Sequence, residues 1–383
     1  YSTSNVELSR RRIQRLSYIE TVDIKTRRLS GISDQVDLDI SLTERLAGNF
    51  SIGAGFSQNQ GVLFNLSLSQ ENFLGTGRRV SLQFDNSDVN TIYSFSYDNP
   101  FYTIDGVSRG FGLSYRQTDA READVSDYSA DQFGGNVRYG IPLTEDDSLR
   151  AGLGIENIDI STSANTPAEI TSFLDANGDN YNIFSLTSSF IHDTRDRTVF
   201  TEDGNLQRFN VETTIPAFDL EYYKADYQNN HFISLFDGLT LALNGRIAYG
   251  DSYGDTTDLP FFEKFFAGGI RTVRGFDANS LGPRDSQGEP FGGDFRLVTN
   301  LELLFPPPFV EEASNTRFVV FVDAGNVFGD VGDFEFGELR ASTGLGLTWI
   351  TPVGALTFAL ARALNDEPGD ELQSFQFNIG AVF

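Results

Sequence analysis

Short segments in which apolar and polar side chains alternate recur from Gly48 to the last residue of the chain. In the final stretch, SFQFNIGAVF, the apolar residues Phe375, Phe377, Ile379, Ala381 and Phe383 alternate with small or polar residues as far as Gly380. The stretches ALTFALA and TGLGLTW show the same pattern. Since successive side chains of a strand point to opposite faces, the pattern predicts strands with one apolar face. No helical periodicity is visible after Gly48, so we expect no helix there.

Two architectures fit strands of this kind. A soluble sandwich buries the apolar face between two sheets, whereas an outer-membrane barrel turns it to lipid and keeps the polar face inside. The length of the segments favours the barrel, because a tilted strand needs roughly ten residues to cross a bilayer. Many aromatic residues together with 37 glycines are also typical of all-β proteins with tight bends.

Sixteen such segments can be counted, and bacterial barrels have an even number of strands. The count runs through 48–57, 61–70 and 78–86 to 338–349, 354–361 and 373–383. We interpret the short link at 58–60 as a periplasmic turn, and the long links at 158–181 and 250–293 as outer loops. The sequence therefore predicts an all-β fold, a sixteen-stranded antiparallel transmembrane barrel over 46–383.

Composition excludes several classes of function. The net charge of −26 argues against a nucleic-acid partner, because phosphates require clustered cations. Cysteine is absent, which excludes disulfides and thiolate metal sites. His192 beside Asp193 is a weak hint of catalysis, and the string DANGDN resembles a calcium loop without its final glutamate. We expect no catalytic residue, no metal and no cofactor.

Residues 1–45 differ from the rest of the chain. A helix is expected from a cap at Ser4 or Asn5, followed by strands over 18–29 and 34–45. Such an α+β module is too small to bury a core by itself. We therefore expect it to be the end of a domain whose first part precedes this sequence.

Several strings identify a family when they are taken in order. They are QENFLGTGRRVSL (70–82), DNPFYTIDGVSRG (98–110), GGIRTVRGF (268–276), NLELLFPPPF (300–309), FVDAGNVF (321–328), LTWITPVGALTFALA (347–361) and the final FQFNIGAVF. Along essentially its whole length the chain resembles the BamA family of outer-membrane assembly factors. Residues 1–45 resemble the last helix and two strands of a POTRA repeat. The string VRGF alone is shared with two-partner secretion transporters.

The resemblance implies that the loop 250–293 folds back into the barrel lumen. Its motif consists of Val273, Arg274, Gly275 and Phe276. In the family the arginine meets acidic residues of neighbouring strands, which correspond here to Glu302 and Asp323. Strand alternation agrees, because the residues on either side of each carboxylate are apolar and therefore face lipid.

Closing a barrel requires its first strand, 48–57, to pair with its last, 373–383. Glycines weaken the interior of a strand, and Gly380 matches a kink glycine of the family. We expect a weak lateral seam that offers unpaired edges to an added strand, and a disulfide between positions 51 and 376 to lock it. The candidate seam residues are Gly48, Phe50, Ile52, Gly53, Gly55, Phe375, Phe377, Gly380 and Phe383.

The resemblance implies a non-enzymatic, ATP-independent insertase in the outer membrane of a Gram-negative bacterium, acting within a BAM complex. Its partners would be outer-membrane lipid, unfolded β-barrel clients, and periplasmic lipoproteins and chaperones that bind POTRA repeats. Two alternatives stay open. One is a polypeptide transporter of the two-partner secretion type, and the other is a passive porin.

Overall fold

The computed structural model describes residues 2–14, 16, 18–29, 35–45, 47–216, 218–307, 315–351 and 354–380. At the start of the chain, helix α1 (Thr3–Gln14) precedes strands β1 (Ile19–Arg28) and β2 (Val36–Glu44). The two strands form a separate antiparallel sheet in which Ile19 and Ile24 are buried. We call residues 1–45 the tail.

Sixteen further strands close into one antiparallel barrel, which confirms the predicted fold class and strand count. The strands after the tail are β3 (Gly48–Ser57), β4 (Gly61–Gln70), β5 (Arg79–Asn86), β6 (Asn90–Asn99), β7 (Ser108–Asp119), β8 (Ser129–Pro142), β9 (Asp147–Ser161), β10 (Asn180–Asp193), β11 (Gly204–Thr214), β12 (Tyr222–Phe236), β13 (Leu239–Ser252), β14 (Gly275–Phe276), β15 (Phe295–Phe305), β16 (Thr316–Phe328), β17 (Arg340–Thr351), β18 (Gly354–Ala363), β19 (Leu372–Gln373) and β20 (Phe375–Ile379). Strands β14 and β19 pair with each other, and the other sixteen form the wall.

Alternation along the wall separates a lipid face from a lumen face. In β16, Val320 and Val322 are 40% and 43% exposed, whereas Phe321 and Asp323 between them are 1% and 0% exposed. Apolar side chains on the outer face suit a hydrocarbon environment, and the inner face carries the charges. The lumen face is therefore where a polar site can be built.

The interpretation of the links needs a correction. In an antiparallel barrel whose neighbours follow one another in sequence, links alternate between the two ends. Counting from β3, the links 58–60, 162–179 and 253–294 are all odd-numbered and share one end. The short turn at 58–60 therefore lies with the long loops, at the end opposite the tail. We call this the far end.

One helix was not expected from the sequence. Helix α2 (Ala168–Asn177) lies in the link between β9 and β10, so the expectation of no helix after Gly48 is wrong. Ile170 and Phe173 share one face of α2 and pack into an apolar cluster with Tyr181 and Phe261. The spacing of Ile170, Phe173 and Leu174 is the sequence signal that indicates it.

Short 3₁₀ turns complete the links, at Phe73–Gly75, Ala120–Ala123, Phe261–Glu263, Val331–Asp333 and Phe336–Glu338. Among the described residues, neither α1 nor α2 nor any other helix has the length and apolar character needed to cross a membrane.

Candidate functional site: the lumen loop and the seam

The motif Val273–Arg274–Gly275–Phe276 lies in the link 253–294, which joins β13 to β15 and which we call the lumen loop. Val273 and Phe276 are both 0% exposed. They belong to a cluster whose other buried members are Ala267, Leu281, Val298 and Val327. Because Val298 and Val327 belong to the wall strands β15 and β16, these contacts attach the motif to the inside of the barrel.

Asp323 binds Arg274 through a bidentate contact. Nε of Arg274 donates to Oδ2 of Asp323 at 2.7 Å, and Nη2 donates to Oδ1 at 2.7 Å. The backbone N–H of Arg274 donates to Oδ2 at 3.0 Å, and Nδ2 of Asn300 donates to Oδ1 at 2.8 Å. All four acceptor positions of a fully buried carboxylate are thus occupied, which compensates for its removal from water.

Glu302 is the second acid on Arg274. Its Oε1 lies 2.7 Å from Nη2 of Arg274, and its Oε2 accepts a hydrogen bond of 3.3 Å from Nδ2 of Asn244. The guanidinium carbon of Arg274 also lies 3.5 Å from the ring centroid of Phe321. A planar guanidinium can bind two carboxylates and stack on an aromatic face at once, which the ammonium of lysine cannot do. The site is therefore specific for arginine.

Burial acts on Arg274 in the opposite direction to its partners. Removal from water would by itself lower the pKa of the guanidinium. The hydrogen bonds that Arg274 donates to Asp323, together with the charges of Glu302 and Asp323, outweigh burial and raise the pKa of the guanidinium above its ordinary value. The two carboxylates thus stabilise the charged form of Arg274.

Gly275 follows Arg274 in a conformation that few other residues adopt. Its φ is +92°, and a Cβ added there would lie 3.2 Å from Cβ of Ala361 and 3.5 Å from Cβ of Ser342. The backbone of the loop tip can approach the wall this closely only because the side chain is absent.

The loop tip also binds the chain that leads into the last wall strand. Gly275 pairs with Gln373, and Phe276 pairs with Leu372. The side chain of Gln376, only 1% exposed, donates to the Phe276 carbonyl at 2.7 Å, and its Oε1 accepts from the Gly275 N–H at 3.4 Å. One loop thus contacts both the middle of the wall and the start of β20.

Among the described residues, the seam between β20 and β3 has fewer paired residues than any other junction of the wall. Asn378 pairs with Ser57, and Ile379 pairs with Phe56. Strand β3 pairs with β4 over its full length, and β20 pairs with β18 at five positions. The first and last segments, 48–57 and 373–383, therefore pair as barrel closure requires, at two positions among the described residues. Gln373 pairs with the lumen loop instead.

The nine candidate seam residues fall into four groups. Gly55 and Gly380 meet at the crossing, where a Cβ on Gly55 would lie 2.3 Å from the Ile379 carbonyl oxygen, and Gly380 has a φ of +105°. Phe377 stacks on Phe56 with a centroid separation of 5.7 Å, and it also stacks on Phe375. Phe383 lies outside the described residues. The remaining four candidates pair with β4 and with no described residue of β20. They are Gly48, Phe50, Ile52 and Gly53.

The register also corrects the proposed disulfide. Since Asn378 is opposite Ser57, the antiparallel register places Gln376 opposite Asn59, not Ser51. Ser51 is opposite Ser67 of β4. Positions 57 and 378 are the pair that a cross-link requires.

Sequence reasoning missed three residues that complete the site, namely Asn300, Phe321 and Gln376. Asn300 and Phe321 each lie two positions before a recognised acid and therefore on the same face of the strand. Gln376 lies between two apolar residues of β20, so its inward direction could have been predicted. Alternation was thus a sufficient signal for their orientation, but not for their partners.

The structure does not pair His192 with Asp193, the neighbours that gave a weak hint of catalysis in the sequence. Nδ1 of His192 lies 2.7 Å from Oδ1 of Asp147, on the neighbouring strand β9. Asp193 instead binds Arg195, with Nε 2.8 Å from Oδ1. Because adjacent residues of a strand face opposite sides, His192 and Asp193 cannot act together.

Comparison with known proteins gives consistent results. Residues 72–383 match the Omp85 superfamily domain. The chain is 32% identical to the outer membrane protein assembly factor BamA of Neisseria meningitidis serogroup B, over 100% of this chain and 53% of that protein. Its structure is similar to that of BamA from Haemophilus ducreyi lacking POTRA domains 1–3, with a TM-score of 0.89, 28% identity, and coverage of 100% of this chain and 79% of that one.

A more distant structure shows the fold alone. CdiB from Acinetobacter baumannii matches with a TM-score of 0.59 and 15% identity, covering 95% of this chain and 66% of that one. The chain spans about half the length of the curated relatives it matches.

Proposed function

Because the chain belongs to the Omp85 superfamily, we propose that it assembles and inserts β-barrel proteins into the bacterial outer membrane. Its BamA relatives carry the name outer membrane protein assembly factor, which supports the proposal. The chain is an outer-membrane β-barrel, and the proposal concerns what that barrel does.

One observation carries the proposal, namely that the part of the chain that the structure describes closes the wall by two residue pairs. A strand edge that lacks a full partner is a template for another strand. An unfolded client strand can pair at this edge, and its other strands can follow by exchange. The client's own strand pairing and its burial in lipid would supply the driving force, so no nucleotide is required.

The lumen loop supports the proposal in a second way. Its tip lies across the inside of the wall, tied to β15 and β16 by Arg274 and to the start of β20 by Gln376. A passive porin has no need of such a tie. We propose that the loop keeps the wall rigid on the β20 side of the seam, from β15 to β20, while the seam opens.

The proposal extends to the tail and to partners. We propose that residues 1–45 are the end of a POTRA repeat and that 46–383 form the barrel unit. Periplasmic lipoproteins and chaperones would bind through POTRA repeats, and unfolded β-barrel proteins and outer-membrane lipid would meet the barrel itself. The role is non-enzymatic. The likeness to CdiB concerns the fold alone, so it does not favour secretion.

Reconstitution tests the function. Full-length protein in lipid vesicles should speed the folding of an added, urea-unfolded client barrel, scored by protease resistance, relative to empty vesicles. Conductance across a planar bilayer tests the porin alternative, because a plugged barrel conducts little or erratically. Steady conductance together with no acceleration of client folding would contradict the proposal.

A further inference from the structure

Gln58 makes contacts that its place in a turn does not require. It follows β3 directly, in the turn 58–60 beside the seam. Its Oε1 accepts a hydrogen bond of 2.8 Å from the Phe377 N–H, and its Nε2 donates to the Phe375 carbonyl at 3.5 Å. One side-chain amide therefore binds a donor and an acceptor on the edge of β20.

The register shows what the amide replaces. Since Asn378 is opposite Ser57, continued pairing would place Gln376 opposite Asn59. In an antiparallel ladder, backbone groups of residues 58 and 60 would then bind Phe377 and Phe375. The chain turns away instead, and the Gln60 N–H donates to the Ser57 carbonyl at 3.4 Å. The side chain of Gln58 supplies the acceptor and the donor that the backbone no longer offers.

The turn does not depend on this side chain. It is closed by the Gln60 bond to Ser57 and by a 3.4 Å bond from the Asn59 N–H to Oγ of Ser57. The bonds of Gln58 are directed only at β20, across a sequence separation of more than three hundred residues. Holding the seam is thus the role that the geometry leaves for this side chain.

We propose that Gln58 is a positioning residue that occupies the free edge of β20 next to the two backbone pairs. The inference rests on the proposed function, in which a client strand pairs at the seam. A carboxamide presents the same donor and acceptor as a peptide group. An incoming backbone can therefore replace it bond for bond, so that no buried group is left unpaired during the exchange. Gln58 closes the edge without blocking it.

Hydrogen exchange of the Phe377 amide tests the role of Gln58 directly. In the refolded full-length barrel, Gln58→Ala should speed exchange of this amide roughly two- to tenfold, as expected for loss of one hydrogen bond. Gln60→Ala is the matched control, because Gln60 lies in the same turn and uses its backbone there. Gln58→Glu should keep the acceptor and therefore most of the protection of Phe377, while losing the donor to Phe375.

A second variant covers the case in which Gln58→Ala does not fold. Gln58→Asn keeps the carboxamide but shortens its reach by one methylene, and it should also expose the Phe377 amide. The inference is overturned if the Phe377 amide exchanges equally fast in Gln58→Ala, Gln58→Asn and Gln60→Ala, even when client assembly is normal. An unmodified protein that assembles no client in vesicles instead overturns the proposed function and leaves the exchange result standing.

Discussion

Arg274 exchanges water for two carboxylates and an aromatic face, and it is the residue on which the lumen loop depends. Arg274→Ala would leave the fully buried Asp323 without a cation, at a cost of about 3–5 kcal/mol to the docked loop. We expect the loop 253–294 to become sensitive to protease, the barrel to stay inserted and client assembly to fall.

Arg271 provides the matched control for this substitution. It is the same residue type, three positions earlier in the same loop, and its side chain has no acidic partner among the described residues. Arg271→Ala should leave the digestion pattern of the loop unchanged. Identical patterns for Arg271→Ala and Arg274→Ala would show that the carboxylates do not hold the loop.

Substitutions at Gly275 and Gly288 distinguish a glycine needed for lack of space from one needed only for its positive φ. Gly275→Ala combines a φ of +92° with contacts of 3.2 and 3.5 Å to the wall, whereas Gly288→Ala has a φ of +93° and nothing within 4 Å. Both variants carry backbone strain, of order 1–3 kcal/mol. Only Gly275→Ala should also displace the loop tip and lower the thermal midpoint further. Equal midpoints would mean that the wall yields to the methyl group.

The sequence predicts the orientation of site residues better than their partners. The alternation of apolar and polar residues was enough to predict that Glu302 and Asp323 face the lumen, and the family resemblance indicated Arg274 as their partner. Nothing local indicates that Asn300 spans Asp323 and the Thr272 carbonyl. Such bonds depend on which strands become neighbours and on how far one slides along another.

At the scale of elements, strand β20 is shared between the wall and the lumen loop. Gln376→Ala should loosen both, because it removes one of the two hydrogen bonds that the Phe276 carbonyl accepts, at a cost of about 0.5–1.5 kcal/mol, and leaves only the bond from the Gly269 N–H. Hydrogen exchange should rise both in the tip of the loop and in 372–379. Gln373→Ala is the control, since Gln373 pairs with Gly275 through its backbone. Faster exchange in only one of the two segments would argue against their coupling.

The bounds of the strands were predictable where apolar and polar residues alternate regularly, and less predictable at the seam that closes the barrel. Strands β3 and β4 have the predicted bounds, 48–57 and 61–70, because clear alternation ends at a turn. The predicted last strand, 373–383, is divided, since Gln373 pairs with the loop and β20 begins at Phe375. Helix α2 was missed because a single apolar face of three residues is a weak signal beside long strands.

At the scale of the whole molecule, the barrel combines a lumen loop that is bound to the wall with a seam that has few backbone pairs among the described residues. The loop tip binds β15 and β16 through Arg274 and reaches β20 through Gln376, so the two features are parts of one contact network. Fold class followed from alternation and from the even count of strands. The register of the closure did not, because alternation determines faces but leaves the sliding of two strands open.

If the seam must open for assembly, a disulfide across it between β3 and β20 should stop assembly. Phe377 directs its N–H toward β3, so Asn378 and Ser57 form a non-hydrogen-bonded pair, in which side chains approach most closely. The chain contains no cysteine, so Ser57→Cys with Asn378→Cys introduces the only thiols. Ser81→Cys with Ser96→Cys is the control, because these hydroxyls lie 2.7 Å apart on β5 and β6, away from the seam.

The measurement is the rate at which the oxidised full-length variants fold a client barrel in vesicles, before and after addition of a reductant. We expect the 57–378 disulfide to abolish the acceleration and reduction to restore it, while the 81–96 disulfide should have no effect. A barrel locked at 57–378 that folds clients as fast as the same protein after reduction would show that the seam need not open.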